Sequence, residues 1–194
     1  MKNISELKIY LLSNDFDMCC AWRAKFSKAS NIEIVCENFV GFMQKYKVDC
    51  VVSPANAYGL MDGGYDQAIT DWFGNGLQQK VQRYIVEKLY GEQPVGTSVI
   101  FDTDIDGVTL IHTPTMRYPE RIIDPCVVYH CMRTCLMCAL ENDVSSIVIP
   151  AFGAATGELS CDVVAEMMFR ALSQISDPPS KIDWNYARRS RIRL

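Results

Sequence analysis

The sequence lacks any apolar run long enough to cross a membrane, because no window approaches the roughly 18 consecutive apolar residues that a spanning helix needs. The first residues, MKNISELKIYLL, also lack the charged, apolar and small-residue zones of a secretory signal peptide. These two absences predict a soluble intracellular protein with no membrane partner, located in the cytoplasm or the nucleus.

The chain also lacks the positive charge that gathers nucleic-acid phosphates, since its formal net charge is −4. The one basic cluster is the C-terminal tail, which contains Arg188, Arg189, Arg191 and Arg193. A run of this kind is typical of a solvated terminus, and the alternative is an arm that binds a polyanion. Any nucleic-acid contact would therefore depend on a local patch.

Disulfides are not expected, although the chain has nine cysteines. Their number is odd, their spacing is irregular, and a chain of 194 residues can bury a core without such cross-links. We expect reduced thiols and one domain over residues 1–175. Pro178 and Pro179 then break the chain before a short C-terminal segment, residues 176–194, that carries the basic tail.

Short β-rich runs alternate with helical patterns, which predicts an α/β fold. We expect a three-layer α/β/α sandwich with a mixed, mostly parallel central sheet and helices on both faces. The expected strands are residues 8–13, 32–36, 49–52, 96–102, 109–113 and 146–150. The expected helices are residues 21–28, 39–46, a stretch that begins near Gln67, 77–89, 125–142 and 162–173.

Two glycines are predicted to end or turn the chain between these elements. Gly91 is a candidate C-cap for the helix before it, and Asp106-Gly107 favours a tight turn between two strands. A β-hairpin is therefore expected there.

Two glycine-bearing loops, residues 56–64 and 153–157, each follow an apolar strand and so should lie at the carboxyl edge of the sheet. Gly63 and Gly64 precede a helix, whose N-terminal N–H groups attract a phosphate. The second loop offers successive backbone donors that can form an anion nest. Together the loops predict a clamp on a diphosphate, whereas turn geometry alone is the alternative for each loop.

The better-known nucleotide motifs are missing. The chain has no GxxxxGK[ST] motif, and no GxGxxG follows its first strand. These absences remove support from a P-loop kinase and from an ordinary dinucleotide-binding domain.

Four segments, in order along the chain, resemble the macro domains, a family that binds ADP-ribose and related metabolites. The segments are DCVVSPAN (residues 49–56), MDGGYDQAI (61–69), IHTPTMR (111–117) and IPAFGAATG (149–157), and the similarity covers roughly residues 33–172. The last two segments are similar to one microbial and viral branch. The resemblance implies a single α/β domain whose partner is ADP-ribose or an ADP-ribosylated protein or nucleic acid, with no cofactor or metal.

The resemblance also implies roles for individual residues. Asn56 matches the asparagine that contacts the distal ribose, and its alternative is an Asx-turn that ends the strand. Asn38 matches an acidic residue that binds adenine; its amide oxygen can still accept from the adenine amino group, and Glu37 takes this role if the register shifts by one. The implied ligand-binding residues are Asn38, Ala55, Asn56, Gly63, Gly64, Tyr65, Phe152, Gly153, Ala154, Ala155, Thr156 and Gly157. Phe152 is predicted either to stack on the ligand or to pack in the core.

Hydrolysis is implied less completely than binding. Asp66 matches the acidic residue that hydrolytic members place near the distal ribose, so Asp66 and Asn56 are the candidate catalytic residues. The helix dipole alone also explains an acid in a first helical turn. Thr70 stands where one hydrolase class has histidine, and the loop lacks the lysine of another class. The sequence leaves open an ADP-ribosylhydrolase, an enzyme that processes ADP-ribose 1″-phosphate, and a non-catalytic reader of ADP-ribose; the oligomeric state is unknown.

The two histidines and a cysteine cluster are the remaining candidates for chemistry. His112 lies inside an apolar strand and is predicted to be a hydrogen-bonded structural residue. Cys131, Cys135 and Cys138 share one stripe of a helix that also carries His130, and such stripes usually pack in the core. No metal site is predicted, because the strand-turn spacing of zinc ligands is missing.

Overall fold

Six strands form one sheet in the computed structural model, which describes residues 3–105 and 107–190. The strands are β1 (Lys8–Ser13), β2 (Ile32–Cys36), β3 (Cys50–Ser53), β4 (Val99–Asp102), β5 (Thr109–His112) and β6 (Ser146–Pro150). Their order across the sheet is β2-β1-β6-β3-β5-β4. β4 pairs antiparallel with β5, and the other neighbours pair parallel, which confirms the mixed, mostly parallel sheet.

Helices cover both faces of the sheet. They are α1 (Phe16–Phe26), α2 (Phe39–Lys45), α3 (Gly64–Phe73), α4 (Gly76–Leu89), α5 (Cys126–Glu141), α6 (Cys161–Ser176) and α7 (Trp184–Arg189). The buried side chains of α1, α5 and α6 belong to one core cluster, and those of α2, α3 and α4 belong to a second. The predicted three-layer sandwich is therefore confirmed.

The central strands alternate between these two cores. On β6, Ile147 and Ile149 pack with α1, α5 and α6, whereas Val148 packs with α2, α3 and α4. All three side chains are fully buried. This explains the near-continuous apolar sequence, since a strand covered on both faces needs apolar residues at every position.

Helix α1 begins at Phe16, five residues before the predicted start at Ala21. Asp15 provides the N-cap, because its side chain accepts from the N–H of Asp17 at 2.8 Å and from that of Met18 at 3.4 Å. A capping carboxylate satisfies N–H groups that have no partner inside the helix. The charged, alanine-bearing stretch that predicted this helix did not include its first turn.

Helix α4 ends at Leu89, as predicted, but its C-cap is Tyr90 and not Gly91. Tyr90 is the C-cap in the left-handed conformation, with φ of 57°, and Gly91 follows with φ of 99°. The N–H of Gly91 reaches back to the carbonyl of Ile85 at 3.0 Å. After this helix, β4 and β5 pair antiparallel, as expected for the predicted hairpin. Asp106 of the predicted turn lies outside the described residues.

The C-terminal part contains the end of α6 at Ser176 and the short helix α7. Of the basic tail, Arg188 is exposed, whereas Arg191, Arg193 and the side chain of Arg189 lie outside what the structure describes. Within residues 3–105 and 107–190, no helix is long and apolar enough to span a bilayer.

Candidate functional site

A cleft of about 650 Å³ lies at the carboxyl edge of the sheet, where loops follow β1, β2, β3, β5 and β6. Its volume is within the range of small-molecule sites, about 300–1,000 Å³. Eleven of the twelve residues predicted to bind the ligand, all but Phe152, line it, and Asp66 lines it as well. The parallel strands thus bring both glycine loops to one cleft, as the sequence predicts.

The first glycine loop leads into the N-terminus of α3. Gly63 is the N-cap in an extended conformation and provides no side-chain cap, and Gly64 has φ of 55°, which favours glycine. A Cβ built at either glycine would meet nothing within 4 Å. The N–H groups of Gly64, Tyr65 and Asp66 belong to the first helical turn and so have no partner inside the helix. These donors border open space in the cleft.

The second glycine loop is closely packed on its inner side. A Cβ at Gly157 would lie 2.5 Å from the carbonyl oxygen of Gly153 and 2.6 Å from Cδ1 of Ile122. Gly153 has φ of 76°, so both glycines are required by the turn itself. In the same loop, the N–H groups of Ala155, Thr156 and Gly157 make no hydrogen bond to another described residue. The loop therefore presents three successive donors, the arrangement of an anion nest.

Asn56 is buried, and it holds the first loop together. Its Oδ1 accepts from the N–H of Tyr58 at 3.1 Å and from that of Leu60 at 3.3 Å, while its Nδ2 donates to the carbonyl of Leu60 at 2.8 Å. This is the Asx-turn that the sequence offered as the alternative. One N–H of the amide is left over for a ligand in the cleft.

Asp66 joins α3 to the end of β3. The hydroxyl of Ser53 donates to Oδ1 of Asp66 at 2.6 Å. Although Asp66 keeps some exposure, its carboxyl is surrounded by protein, and this burial raises its pKa to about 7, with the Ser53 hydrogen bond opposing the rise. A carboxyl group that titrates near neutrality can both accept and deliver a proton.

Thr70 has a structural role in this part of the cleft. Its hydroxyl donates to the carbonyl of Met61 at 2.9 Å, and the N–H of Met61 donates to Oε1 of Gln78 at 2.7 Å. Both backbone groups of Met61 are thus satisfied just before the paired glycines. Sequence inspection missed Ser53 and Gln78; the one available signal for Ser53 is a polar residue that ends an apolar strand.

Asn38 is the N-cap of α2, and it lines the cleft. Oδ1 accepts from the N–H of Gly41 at 2.8 Å, and the second lone pair of this oxygen remains for a ligand in the cleft. Glu37, the alternative residue, is also engaged: its Oε2 accepts from Nζ of Lys45 at 2.6 Å. This hydrogen bond from Lys45 holds the pKa of Glu37 below its usual value.

Phe152 does not line the cleft, and this corrects its place among the ligand-binding residues. Its side chain is fully buried in the core cluster formed with α1, α5 and α6. The ring of Phe152 therefore packs in the core, which is one of the two alternatives that the sequence left open. Tyr65 does line the cleft, although its hydroxyl is buried without a hydrogen-bond partner among the described residues.

His112 is the predicted structural histidine. It is fully buried, and the short contact of 2.8 Å between its Nδ1 and Oε1 of Gln93 requires Nδ1 to carry the proton and donate. Burial lowers its pKa to about 3, so the ring is neutral. His130 is exposed on α5, and neither histidine lines the cleft.

The cysteine stripe lies on the face of α5 that packs in the core. Cys131, Cys135 and Cys138 are buried, and this burial raises the pKa of all three thiols, that of Cys138 to about 11. Among the described residues, no group of histidine, cysteine and acidic side chains could hold a metal ion. The thiols contribute to packing.

Several residues that line the cleft were missed in the sequence. The end of β1 contributes Ser13, Asn14 and Asp15, and the loop after β5 contributes Thr115, Met116 and Pro119. The sequence does not show the strand order, which would be needed to predict them. In the folded sheet, β1 lies next to β6 and β5 lies next to β3, so their ends meet at the two glycine loops.

Comparison with known proteins finds relatives over more than half of the chain. Residues 52–168 match the family described as Macro domain. An uncharacterized protein of Aeropyrum pernix is 30% identical over 135 residues, which are 69% of this chain and 68% of that protein.

Solved structures show the same fold at lower identity. A mutant of the Oceanobacillus iheyensis macrodomain with ADP-ribose superposes with a TM-score of 0.62 and 17% identity, over 91% of this chain and 82% of that one. The macrodomain of Mycobacterium tuberculosis DarG superposes with a TM-score of 0.60 and 17% identity, over 71% of this chain and 89% of the other.

Proposed function

This chain belongs to the macro domain family, and from that membership we propose that it binds ADP-ribose or a close derivative in the cleft at the carboxyl edge of the sheet. The diphosphate would lie between the N-terminus of α3 and residues 155–157. The carrier of the ADP-ribose would be a protein or a nucleic acid.

One observation carries this proposal: two sets of unpartnered backbone donors border the same cleft. The first turn of α3 provides one set and the loop at Ala155 to Gly157 provides the other. Among the residues that the structure describes, no lysine or arginine lines the cleft. Backbone N–H groups and the helix dipole would therefore supply the stabilisation of a bound diphosphate.

Calorimetric titration with ADP-ribose tests the binding. We expect saturable binding that weakens at least about tenfold in Gly63→Ala, because the added methyl enters the open space above the loop. Gly76→Ala is the matched control, since this glycine lies outside the cleft and a Cβ there meets its nearest neighbour at 3.6 Å. Absence of binding at millimolar ADP-ribose to the folded protein would refute the proposal.

A second candidate function is hydrolytic removal of ADP-ribose from its carrier, and the position and pKa of Asp66 favour it. In this reaction the Asp66 carboxylate would accept a proton from a water molecule. That water would form the new bond to the anomeric carbon while the bond to the carrier breaks, and the carrier would leave with the proton that Asp66 took from the water. The alternative within the same site is a reader that binds ADP-ribose and catalyses nothing.

Incubation with mono-ADP-ribosylated proteins and nucleic acids separates these two functions. Release of label by the wild type that is lost in Asp66→Asn and retained in Asp71→Asn, an exposed position on the same helix, would support the enzyme. Tight ADP-ribose binding without release from any linkage would instead identify a reader.

A further inference from the structure

Two cysteines come together where α1 packs against β2. In β2, Ile34 packs with the core cluster of α1 and Val35 packs in the opposite cluster, so strand alternation places the side chain of Cys36 on the α1 side of the sheet. Cys19 lies on α1 and is fully buried. The two thiols therefore belong to neighbouring elements on the same face of the sheet.

The carbonyl group of Ser13 connects the two cysteines. Ser13, the last residue of β1, is the register partner of Cys36. Its carbonyl oxygen accepts from the N–H of Glu37 at 3.0 Å and from the Cys19 thiol at 3.4 Å. The Cys36 thiol in turn lies within hydrogen-bonding reach of the Cys19 thiol. Because the sulfurs are already neighbours, side-chain rotation can bring them to the disulfide bond length of about 2.05 Å.

The two thiols differ in exposure. Cys36 is exposed, so a dissolved reagent can reach its sulfur. Burial, with a smaller contribution from the neighbouring Cys36 thiol, raises the pKa of Cys19 to about 12. Cys20 is also exposed, but it lies about 100° around the helix from Cys19. Since the thiolate is the reacting form of cysteine, Cys36 reacts first and Cys19 reacts second.

We infer that Cys19 and Cys36 form a reversible disulfide site whose co-reactant is a small dissolved disulfide of the glutathione type. The Cys36 thiolate attacks one sulfur of that disulfide, which forms a mixed disulfide and releases one glutathione thiolate. Cys19 then loses its proton and attacks the Cys36 sulfur, which forms the protein disulfide and releases the second glutathione thiolate. The two protein thiols are oxidised, the glutathione disulfide is reduced, and the two thiol protons end on the two released glutathiones.

This bond joins two elements that border one end of the cleft. Asp15, the N-cap of α1, and Glu37 and Asn38, which follow β2, line the cleft there. The N–H of Cys19 donates to the carbonyl of Asp15 at 3.1 Å, and Cys36 directly precedes Glu37. The disulfide thus restrains this end of the cleft in response to the thiol–disulfide balance. The site does not depend on the proposed function, since it needs no bound nucleotide.

Oxidation of the whole chain with glutathione disulfide tests the site. After free thiols are blocked, we expect peptide mapping by mass spectrometry to find Cys19 linked to Cys36. The cross-link should raise the thermal unfolding midpoint by about 5 °C or more, and dithiothreitol should reverse the rise. Cys36→Ser, at an exposed position, should fold and lose both effects. Cys20→Ser, at the exposed neighbour of Cys19, is the matched control and should keep both.

Several results would overturn the inference. Both thiols could stay free after oxidation, a glutathione adduct on Cys36 could persist without exchange to Cys19, or Cys36 could link to Cys20 instead. A rise in the unfolding midpoint that remains in Cys36→Ser would also overturn it. Titration of the reduced protein with ADP-ribose is a separate measurement, so none of these results affects the proposed function.

Discussion

The hydroxyl of Ser53, at the end of β3, donates a hydrogen bond of 2.6 Å to the carboxyl of Asp66 in the first turn of α3. This contact ties the sheet edge to the helix whose N-terminus borders the cleft. It also stabilises the charged form of a carboxyl group that burial makes hard to ionise. Two opposing effects thus set the protonation of Asp66 near neutral pH.

The first prediction is that Asp66→Asn stabilises the protein above neutral pH. The folded-state pKa of about 7 exceeds the ordinary value of 3.8, so the folded state keeps a proton that the unfolded state releases between these values. Stability contributed by this group is present at low pH and lost as the pH rises to about 7. We expect the variant to gain on the order of 1–3 kcal/mol at pH 8 and almost nothing at pH 4 in urea unfolding.

Ser53→Ala is the matched variant for this prediction. Loss of the hydroxyl removes the effect that lowers the pKa of Asp66, so the carboxyl should titrate at a higher pH than in the wild type. Carboxyl-carbon NMR measures that midpoint directly. A gain in Asp66→Asn that is the same at pH 4 and pH 8, or an unchanged midpoint in Ser53→Ala, would contradict the proposed balance.

The second prediction is that alanine destabilises the protein at Gly157, which is closely packed, and not at Gly63, which borders open space. Gly157→Ala forces a methyl to within 2.5 Å of the Gly153 carbonyl oxygen, so we expect a loss of about 1–3 kcal/mol in unfolding free energy and a loss of ADP-ribose binding. Gly63→Ala has no neighbour within 4 Å and an extended φ of −148°, so its stability should change by less than about 1 kcal/mol. Denaturation and calorimetry on both variants check this; equal stability would refute it.

The third prediction concerns the buried hydroxyl of Tyr65. This hydroxyl finds no hydrogen-bond partner within the described ranges, whereas the ring packs edge-to-face on Phe39 with centroids 5.3 Å apart. Tyr65→Phe keeps the ring and removes an unpaired polar group, so we expect an unchanged or higher unfolding free energy, by up to about 1.5 kcal/mol. Thermal and urea unfolding measure it. A loss above about 1 kcal/mol would show that the hydroxyl has a partner in solution.

Much of the fold could be predicted from the sequence, because short runs of continuous apolar residues indicate strands that are buried on both faces. The paired glycines before α3 and the loop after β6 could also be predicted, because each glycine loop follows an apolar strand in the sequence. The engaged oxygen of Asn38 could not be predicted, since it depends on the cap geometry of α2. The contact between Ser53 and Asp66 depends on how the chain between them folds, and sequence spacing does not determine it.

The burial of Phe152 illustrates the same limit on the other side of the sheet. Its position after β6 suggests the cleft, but the first residues of the loop turn its ring into the core. The sequence shows that an aromatic residue follows a strand and does not show which face of the sheet it enters. Strand direction and loop conformation decide that face, and both are properties of the folded chain.

The last prediction is that His112 and Asp66 make opposite contributions to acid stability. Burial holds the pKa of His112 at about 3, below the ordinary histidine value of 6.5, so the unfolded state binds a proton more readily between these values. Stability from this group is complete above pH 6.5 and is lost as the pH falls toward 3, whereas stability from Asp66 increases as the pH falls below about 7.

These contributions overlap between about pH 4 and pH 6.5, where they partly cancel in the wild type. We expect Asp66→Asn to lose stability more steeply than the wild type as the pH falls through this window. His112→Gln, which retains a donor for Gln93, should instead become more stable toward acid relative to its own value at pH 8. Urea unfolding at half-unit pH steps measures both slopes. A constant packing cost of either substitution does not change these slopes, and parallel pH profiles for the three proteins would refute the prediction.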